Sequence, residues 1–397
     1  MRRAFAFLLV AAVGFGAGVL FQRRFDAKRA AVTAELSRKP TAVAPEKAPA
    51  APSIDFAHEP LWAYGFDTLP KPGEKAAPQA APGRPRNPNT NPEQTRPRRV
   101  PGSRATYTLL DVRDQQHLID WFPNDHGPMP PIIASGPASL GDKTRACGFC
   151  HLPNGRGRPE NAPPAGLPVA YFIRQIQDFR NGLRRTADPR KPNTNTMIDL
   201  AKAMSDDEIK IAAEYFSAIK WTPWVRVVET ETVPKTRITG NLFVPIEKVK
   251  SEPIAGRLIE VPEDAEQSET LRNPHSGFIA YVPPGSIKKG EDLVTTGGMR
   301  VVGNEIVPGK TTPCVTCHGL DLMGVADVPP IAGRSPSYIA RQVWDIQQGT
   351  RNGAAVQLMK MAISKLTADD LVSISAYVAS RVPPRGRPER RLASAMP

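Results

Sequence analysis

Two short stretches of the chain hold cysteine and histidine at the same spacing. They are CGFCH, with Cys147, Cys150 and His151, and CVTCH, with Cys314, Cys317 and His318. The chain of 397 residues contains four cysteines, so these stretches use all of them. Each stretch puts two thiols and one imidazole on a single short turn. Such a turn can attach a group covalently and ligate a metal at the same time.

Three kinds of chemistry use cysteine pairs of this kind. In c-type haem attachment, each thiol adds to one vinyl group of the porphyrin, and the histidine behind the second cysteine ligates the iron. Four thiolates can instead hold a zinc ion, and a C-x-x-C pair can act as a redox dithiol in a βαβ setting. The repeated histidine and the helical surroundings favour two covalently bound haem c groups over the zinc and dithiol alternatives.

Each iron also needs a sixth ligand, and Met197 and Met359 are the predicted ones. They follow the first cysteine of their motifs by 50 and 45 positions and occupy equivalent places in a repeat. A methionine can also be core filler, and Met204 and Met361 are the nearest competitors. The remaining histidines, which have no repeat partner, are the alternative ligands: His58, His117, His126 and His275.

The two motifs belong to two copies of one helical pattern. YFIRQIQDFRNG follows the first motif and YIARQVWDIQQG follows the second, and Tyr and Gly lie eleven positions apart in both. Met197 precedes Ser205 by eight positions, and Met359 precedes Thr367 by eight. Ser205 and Thr367, each followed by acidic residues, are the predicted N-caps of a final amphipathic helix.

A ligating histidine is normally oriented by a hydrogen bond from its other ring nitrogen. A backbone carbonyl just before an AG turn is the expected acceptor. The stretches PPAG (163–166) and PPIAG (329–333) therefore point to Pro163 and Pro329.

The rest of the chain divides by composition. The predicted segments are an N-terminal signal anchor (1–25), a Pro/Ala-rich linker (26–105), a first haem domain (106–221), a β-rich connecting segment (222–283), a second haem domain (284–381) and a basic tail (382–397). Residues 4–21 are uncharged and long enough as a helix to cross a bilayer; a cleaved signal peptide is the alternative. The island IDFAHEPLWAYGF (54–66) is apolar enough to dock onto a folded part.

The net charge of +13 invites a nucleic-acid hypothesis, but its distribution argues against one. Residues 1–105 carry 17 basic and 8 acidic side chains, residues 381–397 carry 5 and 1, and the stretch between them carries 30 of each. A nucleic-acid-binding fold would carry its basic patch on the folded part. Basic tails fit an anionic membrane surface better, so no nucleic-acid partner is expected.

With both copies in view, the chain resembles dihaem class I cytochromes c of the cytochrome c4 type, over residues 137–221 and 284–381. The resemblance implies a mainly α chain with two cytochrome c-type helical haem domains and His/Met-ligated iron. Here the domains are joined by a β-rich insert and preceded by a membrane anchor and a disordered Pro-rich tether.

The expected function is electron transfer. A membrane-tethered dihaem cytochrome on the periplasmic side of the bacterial inner membrane would carry single electrons between respiratory or dehydrogenase partners, or would be soluble in the periplasm if the signal is cleaved. The alternative is a dihaem oxidoreductase, either peroxidase-like or acting on a small sulfur compound. Arg184, Arg185 and Arg190 would then line a substrate pocket.

Overall fold

The structure is a computed structural model that describes residues 59–71, 73–74 and 92–382. The predicted anchor, much of the predicted linker (26–58, 72 and 75–91) and the tail from residue 383 lie outside these residues. Across the described ranges, no helix is both long enough and apolar enough to span a membrane.

Helices contain most of both cysteine motifs and of the segments after them. In chain order they are α1 (Leu61–Tyr64), α2 (Pro92–Thr95), α3 (Leu109–Arg113), α4 (Pro131–Ala134), α5 (Cys147–His151), α6 (Val169–Arg180), α7 (Pro192–Ala203), α8 (Asp206–Ala218), α9 (Ser286–Thr296), α10 (Val315–His318), α11 (Pro336–Gln347), α12 (Gln357–Ile363) and α13 (Ala368–Ser380). Short 3₁₀ segments lie at Pro123–Asp125, Ala138–Lys143 and Ala354–Val356, and a π-helical turn lies at Glu266–Thr270. Helices α5 to α8 and α10 to α13 thus follow the same order after the two motifs.

The last helix of each group begins with a capping box. Ser205 Oγ accepts a hydrogen bond from the Glu208 N–H at 3.1 Å, and the Glu208 carboxylate accepts one from the Ser205 N–H at 2.8 Å. Thr367 and Asp370 repeat this arrangement at the start of α13. Such a box satisfies two backbone donors that a helix start leaves unpaired. The two predicted N-caps are confirmed.

Helix α9 crosses α13 so closely that a glycine is required. A Cβ on Gly290 would lie 2.0 Å from the Ser373 carbonyl oxygen and 2.7 Å from Tyr377 Cβ. In the first group the last helix is α8, and the one-turn helix α4 packs on it. The two groups therefore share their later helices and differ in what covers them.

Strands lie mainly between the two helical groups. They are β1 (Val225–Glu229), β2 (Thr232–Val233), β3 (Thr236–Thr239), β4 (Leu242–Pro245), β5 (Glu252–Pro253), β6 (Ile259–Pro262), β7 (Phe278–Val282), β8 (Arg300–Val302) and β9 (Glu305–Val307). Strand β7 pairs in parallel with β1 and antiparallel with β6, and β2–β5, β3–β4 and β8–β9 are antiparallel pairs.

The three-stranded sheet is part of the core of the second group. Buried residues of β6 and β7 pack in one cluster with α11 and α13. Glu260 of β6, itself buried, accepts hydrogen bonds from Ser335 Oγ at 2.8 Å and the Ser337 N–H at 3.1 Å. Because these serines lie at the N-terminus of α11, the sheet is fixed to the helix that follows the second motif.

Two parts of the predicted linker are folded. Trp62, Ala63 and Tyr64 of α1 are buried in the cluster that contains α11, which agrees with the expected docking of the apolar island. Val100 is buried with residues of α3 and with Leu271 of the connecting segment, which corrects the prediction of a disordered tether there. Large apolar side chains between the prolines bury enough surface to order both stretches.

Candidate functional site

The first cysteine pair lines a cavity bounded by α5, α6 and α7. Cys147, Cys150 and His151 all contribute to its wall. Burial raises the pKa of the Cys147 thiol to about 12, and burial likewise raises the pKa of Cys150. Both side chains are therefore uncharged at neutral pH, as an apolar cavity favours.

The cavity has the apolar lining expected of a site for a large flat cofactor. Its empty space, including the open mouth, is about 1240 Å³. Its wall includes the apolar side chains of Phe172, Ile176, Phe179, Leu200 and Phe216. The donor set and this lining fit a porphyrin whose two vinyl groups face the thiols.

Both histidines are held through Nδ1 by a backbone carbonyl. The distance from His151 Nδ1 to Ala162 O is 2.7 Å, and from His318 Nδ1 to Pro329 O it is 2.9 Å. A carbonyl accepts only, so Nδ1 carries the proton, and burial lowers the pKa of both imidazoles. Each neutral ring then has its lone pair on Nε2, the atom that ligates iron in such an arrangement.

The acceptor for His151 differs by one residue from the prediction. Pro163 was expected, but its carbonyl oxygen accepts from the Arg334 guanidinium instead. Both observed acceptors lie eleven residues after their histidine. Counting from the histidine, or back from the AG turn, gives Ala162 and Pro329, whereas the Pro-Pro pair lies one position later in the first loop than in the second.

The structure places Met197 with His151, on α7 and in the wall of the same cavity. Met204 also lines this cavity, but it is buried in the core cluster. Met359 lies half-buried on α12 against the core cluster that Cys314 contacts, and Met361 is 68% exposed. Met323 is half-buried against that cluster too.

The second motif is more open to solvent than the first. Cys314 is half-buried, and burial raises its pKa to about 11. Cys317 is exposed, and Leu320, two residues after His318, is 92% exposed. The same ligand geometry is therefore presented at a surface in the second group and inside a cavity in the first.

Two arginines join the helical groups directly. Arg184 donates to Gln175 Oε1 at 2.9 Å and to Gln342 Oε1 at 2.7 Å. Arg351 donates to the same two oxygens, at 2.8 Å and 3.1 Å respectively. Each amide oxygen thus accepts from one arginine of its own group and one of the other.

The tyrosines of the repeat complete this symmetric contact. Arg351 donates to the Tyr171 hydroxyl at 2.9 Å, and Arg184 donates to the Tyr338 hydroxyl at 3.2 Å. The backbones of Arg184 and Arg351 form an antiparallel bridge. Equivalent residues are separated by 167 positions, the separation of the two histidines. That constant offset is the signal from which the contact was predictable.

The three arginines proposed for a substrate pocket have different roles. Arg184 lines the cavity and also belongs to the contact between the groups. Arg190 pairs with Asp188 (Nη2 to Oδ2, 2.6 Å) and lies 3.9 Å over the centre of the Phe66 ring. Arg185 lines the cavity. Two of the three are therefore engaged with the protein itself.

The competing ligand sets are separated in space. Cys147 packs in the first core cluster and Cys314 in the second, whereas a Cys₄ zinc site needs all four thiols at one point. Within the part of the chain that the structure describes, no group of three or more His, Cys, Asp or Glu side chains could hold a metal ion. Of the alternative histidines, His117, His126 and His275 contact carboxylates, and His58 lies outside the described residues.

The chain is similar to several curated cytochromes. It is 22% identical over 250 residues to cytochrome c4 of Pseudomonas aeruginosa, a match that covers 62% of this chain and 89% of that protein. It is 22% identical to the thiosulfate dehydrogenase electron acceptor of Thiomonas intermedia, covering 62% and 82%. Over 73 residues it is 33% identical to cytochrome c-554(548) of Halomonas halodenitrificans, covering 18% and 88%.

Among solved structures, reduced recombinant cytochrome c4 from Pseudomonas stutzeri aligns with a TM-score of 0.36 and 21% identity. That alignment covers 59% of this chain and 93% of the other. No family model matches the chain.

Proposed function

This chain belongs to the dihaem class I cytochromes c of the cytochrome c4 type, and we propose that it carries single electrons between redox proteins on the periplasmic side of the bacterial inner membrane. Haem c, when bound, supplies an iron that takes up and gives back one electron. The protein's own part is to hold each iron, keep water away from it and fix the two sites relative to each other.

Each repeat supplies one complete set of binding residues. Cys147 and Cys150 would hold the first haem covalently, with His151 and Met197 as its iron ligands, and Cys314 and Cys317 would hold the second, with His318 and Met359. The observation that carries this assignment is the matching histidine geometry, in which Nδ1 of each imidazole is held by the carbonyl eleven residues later.

The contact between the groups keeps the two sites at a constant separation. Arg184 and Arg351 each hydrogen-bond to glutamine and tyrosine side chains of both groups. A charged donor with several neutral acceptors is a strong and directional contact. Electrons can then pass between two sites whose relative position does not depend on a mobile linker.

The open second site is where a redox partner would dock. Cys317 and Leu320 are exposed beside His318, whereas Cys147, Cys150 and His151 line a cavity. Relatives named thiosulfate dehydrogenase electron acceptor support a periplasmic dehydrogenase as the electron donor. The apolar stretch at residues 4–21 supports attachment to the membrane, with signal cleavage as the alternative.

A redox titration with optical and electron paramagnetic resonance detection tests this function. We expect two reversible one-electron transitions and a low-spin signal from both haems, since two firm axial ligands fill the coordination of each iron. A high-spin haem that reacts rapidly with peroxide would contradict the carrier function and favour the enzyme alternative.

A further inference from the structure

Lys191 is a buried cation without a carboxylate partner. Its side chain is 1% exposed, and the acceptor that the structure gives its Nζ is the Tyr64 carbonyl oxygen, at 3.5 Å. An ammonium group has three donors. No carboxylate of the described residues lies within 4.0 Å of Nζ, so the charge is not balanced by a direct ion pair in this part of the chain.

The nearest acidic side chains have other partners for at least one oxygen. Glu160 Oε1 pairs with Arg158 at 2.9 Å, while its buried Oε2 has no hydrogen-bond partner among the described residues, and Asp188 pairs with Arg190 at 2.6 Å. Asp345 accepts hydrogen bonds from the Tyr64 hydroxyl at 2.7 Å and from a backbone N–H at 2.8 Å. Burial and the neighbouring Arg341 together keep the pKa of Lys191 well below its usual range. A buried ammonium in this state is costly unless an anion is supplied from elsewhere.

The space that Lys191 faces is the first cavity. Lys191 lines it together with Cys147, Cys150 and His151. Arg341, which is buried and lines the same cavity, donates to the carbonyl oxygens of Ala63 and Pro159. Arg184, Arg185, Glu160 and Asp345 also line the cavity, so its wall carries four cationic side chains and two carboxylates.

The position of Lys191 is special to the first repeat. Thirteen positions separate Arg184 from Met197, but eight separate Arg351 from Met359. Lys191 lies in this longer loop, and α1 covers it: Tyr64 accepts from its Nζ, while Arg190, the preceding residue, donates to Thr68 O at 2.8 Å. The loop and the segment 59–68, which we call the strap, thus bury the cation together.

We propose that Lys191 is the counter-ion of a propionate carboxylate of the haem in the first domain, and that the strap closes over this ion pair. The inference rests on the proposed attachment of a haem at Cys147 and Cys150. A haem carries two propionate carboxylates, which supply the anion that the described residues do not. The pair favours the reduced form of this haem, because a nearby cation opposes the extra positive charge of the ferric state.

The test compares the holoprotein with its Lys191→Met and Lys202→Met variants by redox titration. Lys202 is exposed on α7, so its replacement removes the same charge without touching the cavity. We expect Lys191→Met to lower the reduction equilibrium constant of one haem at least tenfold, which is about 59 mV for a one-electron couple. Lys202→Met should leave the reduction equilibrium constants of both haems within a few-fold of those in the unchanged protein.

Two outcomes would overturn the inference and leave the proposed function standing. One is a Lys191→Met protein with both haems attached and both potentials unchanged. The other, which needs no variant and so remains decisive if Lys191→Met does not fold, is a crystal structure of the holoprotein with Nζ farther than about 4 Å from both propionates of the first haem. A distance within about 3.2 Å supports the ion pair. A wild-type protein without covalent haem would instead contradict the proposed function itself.

Discussion

The first and second haem sites share their ligand geometry and differ in how much of the site is enclosed. In both sites the histidine Nδ1 donates a hydrogen bond to the backbone carbonyl eleven residues later in the chain. Around that constant part, the first site has a longer methionine loop that is hydrogen-bonded to the strap, whereas the second has an exposed Cys317 and an exposed Leu320. The repeat therefore preserves what ligates iron, and the insertions decide which site a partner protein can approach.

Replacing the two methionines should give the largest difference between the sites. We expect Met197→Ala and Met359→Ala each to remove one near-infrared sulfur-to-iron charge-transfer band, because each iron loses its thioether ligand. Added imidazole should bind the opened iron at least about tenfold faster in Met359→Ala, since the second motif is exposed whereas the first lines a cavity. Stopped-flow absorbance measures both rates; equal rates would contradict the difference in enclosure.

Removing the arginine contact between the groups should give the next largest effect, a loss in the free energy of unfolding. Arg351→Leu removes the donor to Tyr171, Gln175 and Gln342, and hydrogen bonds from a charged donor are worth about 1.5–3 kcal/mol each. We expect the free energy of unfolding in urea to fall by about 3 kcal/mol. Arg174→Leu is the control, because its ion pair with Asp327 is long and partly exposed at 3.6 Å and should contribute under about 1 kcal/mol.

If Arg351→Leu and the control Arg174→Leu lowered the free energy of unfolding equally, the contact between the groups would not be the source of the stability. Because the contact is symmetric, Arg184→Leu should match Arg351→Leu. The double variant should lose less than the sum of the two, since both arginines serve the same glutamine oxygens.

Substitution at Gly290 should destabilise the second domain alone. Its Cβ would meet the backbone of α13 at 2.0 Å, a clash that neither helix relieves without moving. We expect Gly290→Ala to cost about 1–3 kcal/mol. Gly127→Ala, where a Cβ would meet nothing within 4 Å, should be nearly neutral. Hydrogen exchange locates the loss; protection lost in α6 to α8 rather than in α13 would contradict the assignment of α9 to the second domain.

The smallest predicted effect is the pH dependence of stability that comes from Asp370. Burial alone would raise the pKa of Asp370, but hydrogen bonds from Lys289, Lys310 and Thr367 outweigh it and lower the pKa to about 2. A carboxylate with a depressed pKa stabilises the fold above its unfolded pKa, near 3.9, and loses that contribution as the pH falls towards 2. Because the lysines are partly exposed, we expect about 1–2 kcal/mol.

The matching measurement is thermal unfolding of the unchanged protein and of Asp370→Asn between pH 5 and pH 2. The gap between their melting temperatures should be full at pH 5 and close as the pH approaches 2. A gap that stays constant over this range would show that the ionised carboxylate is not the source. Glu208→Gln, at the equivalent capping box without lysine partners in the described residues, serves as the comparison.

The sequence was sufficient where the information is local or repeated. The N-caps Ser205 and Thr367 follow from residues three positions apart, and the structure has both capping boxes. The strand-rich composition between the helical groups has its counterpart in β1 to β7. The assignment of the chain to a dihaem family rested on CGFCH and CVTCH and agrees with the curated relatives.

The sequence was insufficient where contacts join distant segments. The island around Tyr64 was expected to dock, but its partner Asp345 is 281 positions away and has no local signal. Lys191 also has no local sequence signal, because only its burial in the fold distinguishes it from a surface lysine. The shift from Pro163 to Ala162 has a simpler cause, since the Pro-Pro pair lies twelve residues after His151 but eleven after His318.

The most direct test of the account is a count of covalent haem by pyridine haemochrome and intact mass, on the unchanged protein and on variants that replace one cysteine pair at a time with alanine. The account predicts two haems per chain in the unchanged protein, one after Cys147 and Cys150 are replaced, and one after Cys314 and Cys317 are replaced. A colourless protein, or a porphyrin that acidified solvent extracts from the unchanged chain, would contradict it.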